Sequence, residues 1–217
     1  MVLNDQNLEY IMKIQQKFKL NFSNASILDI GIGGGYLAKK FLKQNKNVKY
    51  TGVDIDCYLP RETKGKVKLI KADLNHLPVI KKIFDTQKKY DYIFIFDVLE
   101  HLIHFHYILN NMHKLLSKKG FLIMSLPIDI NLSTKIRMVF QDSAFSNPFT
   151  YSHGHINLFS LRQLESGLRN IKALKVVDLT KCGLGYGLYD KTYHLNMLAK
   201  LSPALCGRVY LSLNRTK

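Results

Sequence analysis

The stretch ILDIGIGGGYLAKKFL, Ile27–Leu42, decides how the chain is read. A short apolar run, Ile27–Ile30, breaks into four glycines within five residues (Gly31, Gly33, Gly34, Gly35). It resumes as Leu37, Ala38, Phe41 and Leu42, which is helical spacing. A buried strand followed by a glycine turn and an immediate helix leaves room above the turn for something other than side chains. Glycine lets the backbone approach a ligand closely and tolerates the positive φ of a tight strand-to-helix turn.

Outward from this stretch, strands and helices alternate. Residues 4–19 read as a helix, with Leu8, Ile11, Met12, Ile14 and Phe18 near helical spacing. Strand-like runs fall at 26–30, 48–54, 67–71, 91–96 and 120–126, with helices predicted at 35–44, 57–63, 78–87 and 103–117. The last of these ends on a basic turn before Gly120, read as a glycine stop. Five strands with helical crossovers argue for a parallel sheet covered on both faces. A further helix is expected at 160–169 with Ser160 as its N-cap, then strands at 173–180 and 206–213. Residues 128–152, rich in Ser, Asn and Asp with an apolar patch at 136–140, are expected to form a lid or substrate insertion. One domain spanning 1–217, with an N-terminal helical segment at 1–22, is the economical organisation.

Two ligand readings compete at the glycines. Gly33–Ala38 satisfies G-x-G-x-x-A, the dinucleotide fingerprint, and Asp54 follows about 20 residues on, where a ribose-binding acid belongs. The same residues also form Asp29-x-Gly31-x-Gly33-x-Gly35, with an acid inside the strand, just before the first glycine. A carboxylate beneath the turn suits a cationic ligand group and suits a pyrophosphate poorly. That favours a positively charged, phosphate-free nucleoside over NAD.

The run Ile27–Gly35 resembles the first motif of class I S-adenosylmethionine-dependent methyltransferases, and the likeness continues in order over roughly residues 25–180. Thr51–Asp56 looks like the end of that family's second strand, where an acid takes the ribose hydroxyls, and Lys71–Leu74 like the end of its third, where an acid accepts from the adenine amino group. Tyr90–Leu102 resembles the fourth strand and its exit beside the methionine part of the cofactor. His153–Ser160 resembles the turn before the late helix, whereas Phe121 stands where a second glycine is common.

The resemblance implies a Rossmann-like doubly wound α/β sheet, mostly parallel, of seven strands with the last antiparallel. It implies S-adenosyl-L-methionine as cofactor, with Asp29, Gly31, Gly33 and Gly35 facing the methionine end. Asp54 and Ile55 then hold the ribose, Asp73 and Leu74 the adenine, and Phe96 and Asp97 border the methionine tail.

A sulfonium methyl is already activated, so catalysis is chiefly alignment and exclusion of water. A base is needed only for an acceptor such as a hydroxyl. His101, with Asp97, is the catalytic candidate, and Tyr151, His153 and His155 are the candidate substrate contacts. In the quinone-biosynthesis and small-RNA 2′-O-methyltransferase branches, acids and a histidine near these positions bind a divalent metal. Those branches carry glutamate where this chain has Asp97, and the Leu99-Glu100-His101 ending is common in members without metal, so no metal is expected.

Composition narrows the function classes. At 47% hydrophobic and 22% charged the chain matches ordinary globular proteins. No apolar run approaches the roughly 20 residues that span a bilayer. The first residues lack the layout of a signal peptide. Cys57, Cys182 and Cys206 form no metal-binding pair or disulfide framework, so a cytoplasmic enzyme is expected. The net charge of +16 favours anionic partners and leaves contact with a membrane surface open, but the lysines are dispersed and lack interleaved aromatics. The expected acceptor is therefore a small molecule or glycan-type metabolite methylated at oxygen. An RNA or DNA methyltransferase and a non-catalytic cofactor-binding partner are the alternatives.

Overall fold

The computed structural model describes residues 2–56, 58–141, 154–183, 185–188, 191–194 and 198–216. Its centre is β1 (Ser26–Ile30), which hydrogen-bonds in parallel to β2 (Lys49–Asp54) on one side and β4 (Tyr90–Phe96) on the other. β3 (Val67–Lys71) extends the sheet beyond β2, and β5 (Leu116–Pro127) extends it beyond β4. β9 (Cys206–Arg215) inserts antiparallel between β5 and β6 (Leu174–Gly183). The resulting order, β3-β2-β1-β4-β5-β9-β6, is the seven-stranded, mostly parallel sheet with an antiparallel last strand that the sequence predicts. Strand order reverses between β1 and β4, and in such sheets ligands bind beyond the carboxyl ends of the strands at that point.

Helices cover both faces. α1 (Val2–Phe18) and α2 (Tyr36–Gln44) bury an aromatic-rich cluster that includes Tyr10, Phe22, Phe41, Tyr50 and Phe94. α3 (Leu77–Phe84), α4 (Phe105–Leu115) and α6 (Leu161–Arg169) bury an aliphatic one built on Leu28, Ile30, Ile93, Ile95 and Leu122. The period-two alternation of β1 sends Leu28 and Ile30 to one cluster and Ile27 to the other. Ser160 caps α6 as expected, its Oγ accepting from the Gln163 N–H. α1 is tied to the far edge of the sheet: Tyr10 Oη donates to Asp178 Oδ2 at 3.0 Å, and Lys17 pairs with the same carboxylate.

Two local expectations are corrected. The helix expected at 57–63 is a pair of turns over residues 61–66, with the Thr63 and Lys64 N–H groups both donating to Pro60 O. Pro60 steers Leu59 away from helical ψ, and Gly65, at φ +79°, turns the chain again before a helix can grow. Cys57 lies outside the described residues.

Gly120 is not a helix stop, because α4 ends at Leu115 and β5 begins at once. The chain inserts residues 117–120 opposite Asp91, and a Cβ at Gly120 would stand 2.9 Å from the Asp91 carbonyl oxygen. That glycine answers a close backbone approach.

The predicted 128–152 insertion contains α5 (Leu132–Gln141) in its described part; residues 142–153 lie outside it. Between β6 and β9 the structure adds a small hairpin, β7 (Gly185–Leu188) with β8 (Lys191–His194), and the short α7 (Leu198–Leu201), none of which the sequence reading placed. Among the described residues no helix is long and apolar enough to cross a membrane.

Candidate functional site

The glycine turn closes the carboxyl end of β1. Gly31 has φ +77°, and a Cβ there would lie 2.2 Å from Val98 Cγ2 at the exit of β4. Gly35 has φ +68°, and its Cβ would lie 2.6 Å from Leu59 Cδ2 beyond β2. Both positions need glycine for backbone conformation and for space. The Gly33 N–H donates to Asp54 Oδ2 at 2.7 Å, which ties the turn to the end of β2.

Asp29 lies beneath the turn, in the aromatic half of the sheet. Its carboxyl is 4% exposed and accepts a hydrogen bond from Tyr50 Oη at 2.7 Å. Burial pushes it up to about 7, against the lowering effect of that hydrogen bond. Expected to face the ligand, Asp29 is enclosed here, with its carboxyl held by Tyr50.

A cavity of 340 Å³ opens at the switch point. Asp54 and Ile55 line it after β2, Asp73, Leu74 and Asn75 after β3, and Phe96, Asp97, Val98 and His101 after β4, with Gly31 at its floor. Gly33 and Gly35 border the same turn but do not line the cavity. Each acid follows the carboxyl end of its own parallel strand, so the sheet brings together residues far apart in sequence. Asp73 Oδ1 accepts from the Asn75 N–H, and Asn75 Oδ1 accepts from the Ile103 N–H at 2.8 Å. Asn75 thus fastens the β3 end to the loop after β4, a role the sequence reading missed. The Asp-x-Asn spacing of an Asx turn was the available signal. Chemically, the cavity offers carboxylates to vicinal hydroxyls and to an amino group, with Ile55, Leu74 and Leu102 as apolar walls. Several carboxylates at one mouth disfavour a pyrophosphate.

A second polar group adjoins the cavity. Asp97 has φ +54° and accepts from Ser125 Oγ at 2.9 Å. Arg208 Nη1, from the start of β9, reaches both carboxylate oxygens of Asp97. Arg208 was not anticipated, since only the antiparallel pairing of Pro127 with Arg208 brings it to this edge.

One turn of 3-10 helix, Leu99–His101, carries Glu100 and His101. The backbone N–H groups of Ile156 and Asn157 both donate to the Glu100 carbonyl, and Asn157 Nδ2 donates to Leu102 O at 2.8 Å. These bonds staple residues 154–157 onto the turn and bring His155 alongside it. His155 Nδ1 donates to Asp129 Oδ1 at 2.9 Å, and its Nε2 lies 3.9 Å from Glu100 Oε1. The Asp129 hydrogen bond raises the His155 pKa above its usual value. Glu100 is buried, which pushes it up to about 7. His101 Nδ1 contacts Gly154 O at 3.1 Å. Glu100, His101 and His155 each present one ligand-type atom, all within 4.8 Å of one another, so this trio could hold a cation. The candidates His101, Asp97 and His155 are thereby brought to one place, while Tyr151 and His153 lie outside the described residues.

A larger cleft of 620 Å³ between α4 and α6, lined by Phe105, Leu109, Ile156 and Leu168, has no carboxylate or glycine-turn residue in its lining.

An open α/β sheet with acids at the ends of three successive parallel strands around a glycine turn defines a nucleoside-binding enzyme domain. The family described as "Methyltransferase domain" matches residues 4–171. The chain belongs to that family, in its class I, S-adenosylmethionine-dependent form.

It is 29% identical over 128 residues to the ubiquinone biosynthesis O-methyltransferase of Rickettsia bellii, covering 57% of this chain and 50% of that protein. The chain thus spans about half the length of the relatives it matches. Among solved structures it resembles magnesium protoporphyrin IX methyltransferase from Synechocystis PCC 6803 with bound S-adenosylhomocysteine, at TM-score 0.61 and 14% identity over 99% of this chain and 84% of that one. A SAM-dependent methyltransferase from Archaeoglobus fulgidus gives TM-score 0.58 and 18% identity, covering 96% and 94%.

Proposed function

We propose that the chain transfers a methyl group from S-adenosyl-L-methionine to an oxygen of a small-molecule acceptor, as the name of its ubiquinone biosynthesis O-methyltransferase relatives suggests. The observation that carries this reading is the convergence of Asp54, Asp73 and Gly31 on one cavity that continues to Asp97 and His101. In this reading Asp54 and Ile55 take the ribose, Asp73 and Leu74 the adenine, and Phe96 and Asp97 flank the methionine tail. Gly31, Gly33 and Gly35 let the backbone approach that tail, and Asp29 lies just before them in β1.

The sulfonium needs no further activation. The protein's work is to set the acceptor oxygen behind the methyl carbon and keep water out. His101 draws the proton from the acceptor hydroxyl. Asp97, its charge balanced by Arg208, positions the loop between the cofactor and the acceptor. Tyr151, His153 and His155 remain the proposed acceptor contacts in this reading, the first two lying outside the described residues. In this reading residues 1–217 form one methyltransferase unit that works in the cytoplasm.

Calorimetry with S-adenosylhomocysteine tests it: the wild-type chain should bind, and Asp54→Ala should weaken binding about 100-fold or more, the cost of an unmet pair of charged hydrogen bonds. Preference for NAD would overturn it. Methyl transfer from labelled cofactor to a panel of catechols and phenols, abolished by His101→Ala with cofactor binding kept, would establish the oxygen acceptor. Cofactor binding with no transfer to any extract component would instead mark a non-catalytic binding protein. The +16 charge favours one competing reading, an RNA or DNA acceptor, which a gel shift whose affinity falls steeply with salt would support.

A further inference from the structure

A separate cavity of 430 Å³ is bounded by β3, α3 and the start of β4. Its walls are Leu28, Ile70, Val79, Ile83, Tyr90 and Leu115, which all belong to the aliphatic cluster or pack against it. Leu28, Tyr90 and Leu115 are buried, whereas Ile70, Val79 and Ile83 are half-buried, so the core stays open on this side. The mouth is cationic. Lys68, Lys71, Lys82 and Lys88 contribute to the lining, and no carboxylate does. Lys71 pairs with Asp56 at 3.7 Å, but Lys68, Lys82 and Lys88 have no ion-pair partner among the described residues.

Strand and helix periodicity account for this mixture. Lys68 shares a face of β3 with Ile70, two residues on. The parallel register sets Leu28, Thr51 and Lys68 side by side across β1, β2 and β3. On α3, Val79, Lys82 and Ile83 follow the i, i+3, i+4 spacing of one helix face. Lys88 comes from the turn before β4. Its Nζ donates to Thr51 Oγ1 at 3.3 Å and stands 4.7 Å from the centroid of the Tyr90 ring. Thr51 is 2% exposed, so the Lys88 ammonium reaches inward over the well. A hydroxyl and a ring face soften the cost of taking an ammonium from water, but they leave its charge unbalanced.

We infer that this cavity is a second ligand site, for a free straight-chain alkyl carboxylate held head-first among Lys68, Lys82 and Lys88 with its chain along the aliphatic walls. The volume lies within the range of about 300–1,000 Å³ that small-ligand pockets span. Three ammonium groups without a carboxylate call for an anion, and charge-assisted hydrogen bonds to a carboxylate supply one. The lining contains neither arginine nor glycine, the residues that grip phosphate through forked or backbone N–H donors. Tyr90 is the one aromatic residue in it and already faces Lys88, which leaves no platform for stacking a nucleobase. Apolar walls of Leu, Ile and Val instead reward each methylene removed from water. Ala72 lines both this cavity and the one at the glycine turn, but binding here needs no part of the methyl-transfer reading.

The test is calorimetric titration of the full chain with octanoate, decanoate and laurate below their micellar concentrations. One molecule should bind per chain, with affinity rising roughly tenfold for each two methylenes. Dodecyltrimethylammonium, of like chain and opposite charge, should bind about tenfold more weakly than laurate, or worse. Lys82→Glu should weaken laurate binding about tenfold or more. Lys118→Glu, the same charge change at an exposed lysine outside the lining, should leave it unaltered. Lys88→Met keeps the apolar stem and should cost roughly tenfold. Should that variant fail to fold, the comparison of Lys82 with Lys118, both exposed, decides alone. Equal losses in the two glutamate variants, affinity independent of chain length, or equal binding of the cationic amphiphile would each overturn the inference. So would binding to phosphatidylglycerol vesicles or to inorganic phosphate without saturable binding of laurate, which would assign the lysines to a lipid surface or to phosphate. S-adenosylhomocysteine binding, measured alongside, separates failure of this site from failure of the methyltransferase reading.

Discussion

The corner formed by β1, α2, β2 and β3 and the edge formed by β4, β5 and β9 are built on different principles. In the first, each functional residue is delivered by its own strand end, and its neighbours are glycines and short side chains close in sequence. In the second, a charged network joins Asp97, Glu100, Asp129, His155 and Arg208, contributed by segments up to 111 residues apart. The lesson is that the glycine corner is fixed by backbone shape, whereas the edge beside it is fixed by long-range charge balance.

That contrast can be broken or sharpened by substitution. The largest effect is expected at the charged edge. Arg208→Met leaves Asp97 as a mostly buried, unpaired carboxylate and should cost about 3–5 kcal/mol of stability, as breaking such pairs does. Adding Asp97→Asn should restore most of it. Urea unfolding of the three variants measures this, and additive losses would contradict the pairing.

Gly31→Ala comes next. The φ of +77° and the 2.2 Å approach of Val98 should together cost about 2–4 kcal/mol. S-adenosylhomocysteine affinity should fall with it, and a near-neutral effect would refute the shape argument.

Asp29 supplies a pH-dependent comparison of intermediate size. Its native carboxyl keeps a proton up to about 7, whereas the unfolded chain loses one near 3.8. Between those values the native state binds more protons, so wild-type stability should fall as pH rises through that window and level off above it. Asp29→Asn cannot titrate and retains an oxygen for Tyr50. Its stability relative to wild type should therefore rise from pH 5 to pH 8 by more than about 1 kcal/mol, one pKa unit being worth about that much. Denaturant melts at the two pH values decide it, and a gap that narrows would place the Asp29 carboxylate in a stabilising contact.

The smallest effect is expected at Asn75. Asn75→Ala removes the bond to the Ile103 N–H and should cost about 1–2 kcal/mol. It should weaken cofactor binding modestly and leave the Arg208–Asp97 pair intact.

Much of the first region was legible along the chain. Runs at 26–30 and 67–71 became strands with those same bounds, the first as a short buried apolar segment at the centre of the sheet, the second as a more exposed edge strand. Asp54, Ile55, Asp73, Leu74, Phe96 and Asp97 all line the cavity, since each sits where a predicted strand ends. The reading failed where local pattern and environment diverge. The 57–63 segment was expected as a helix, but Pro60 interrupts it and Gly65 turns the chain just beyond it. Gly120 looks like a helix stop and instead admits the Asp91 carbonyl. Asp29 was rightly placed under the turn, but its closure by Tyr50 depends on the register that sets β1 beside β2.

Arg208 had no local signal at all. Nothing within β9 distinguishes it from other exposed-looking arginines until the antiparallel register sets it opposite Pro127. The same holds for the Asp129–His155 contact, which requires residues 154–157 to be stapled to the Glu100 carbonyl.

By itself, then, the sequence determined the order of the seven strands of the main sheet, the glycine turn and the acids at the strand ends. Those features follow from periodicity and backbone sterics, which act over a few residues. Only the tertiary structure decided which charges are paired, which carboxylate is sealed away and which histidines meet. Those outcomes depend on burial and on distances between segments remote in the chain, and electrostatic energy at such sites changes severalfold with the dielectric that packing creates.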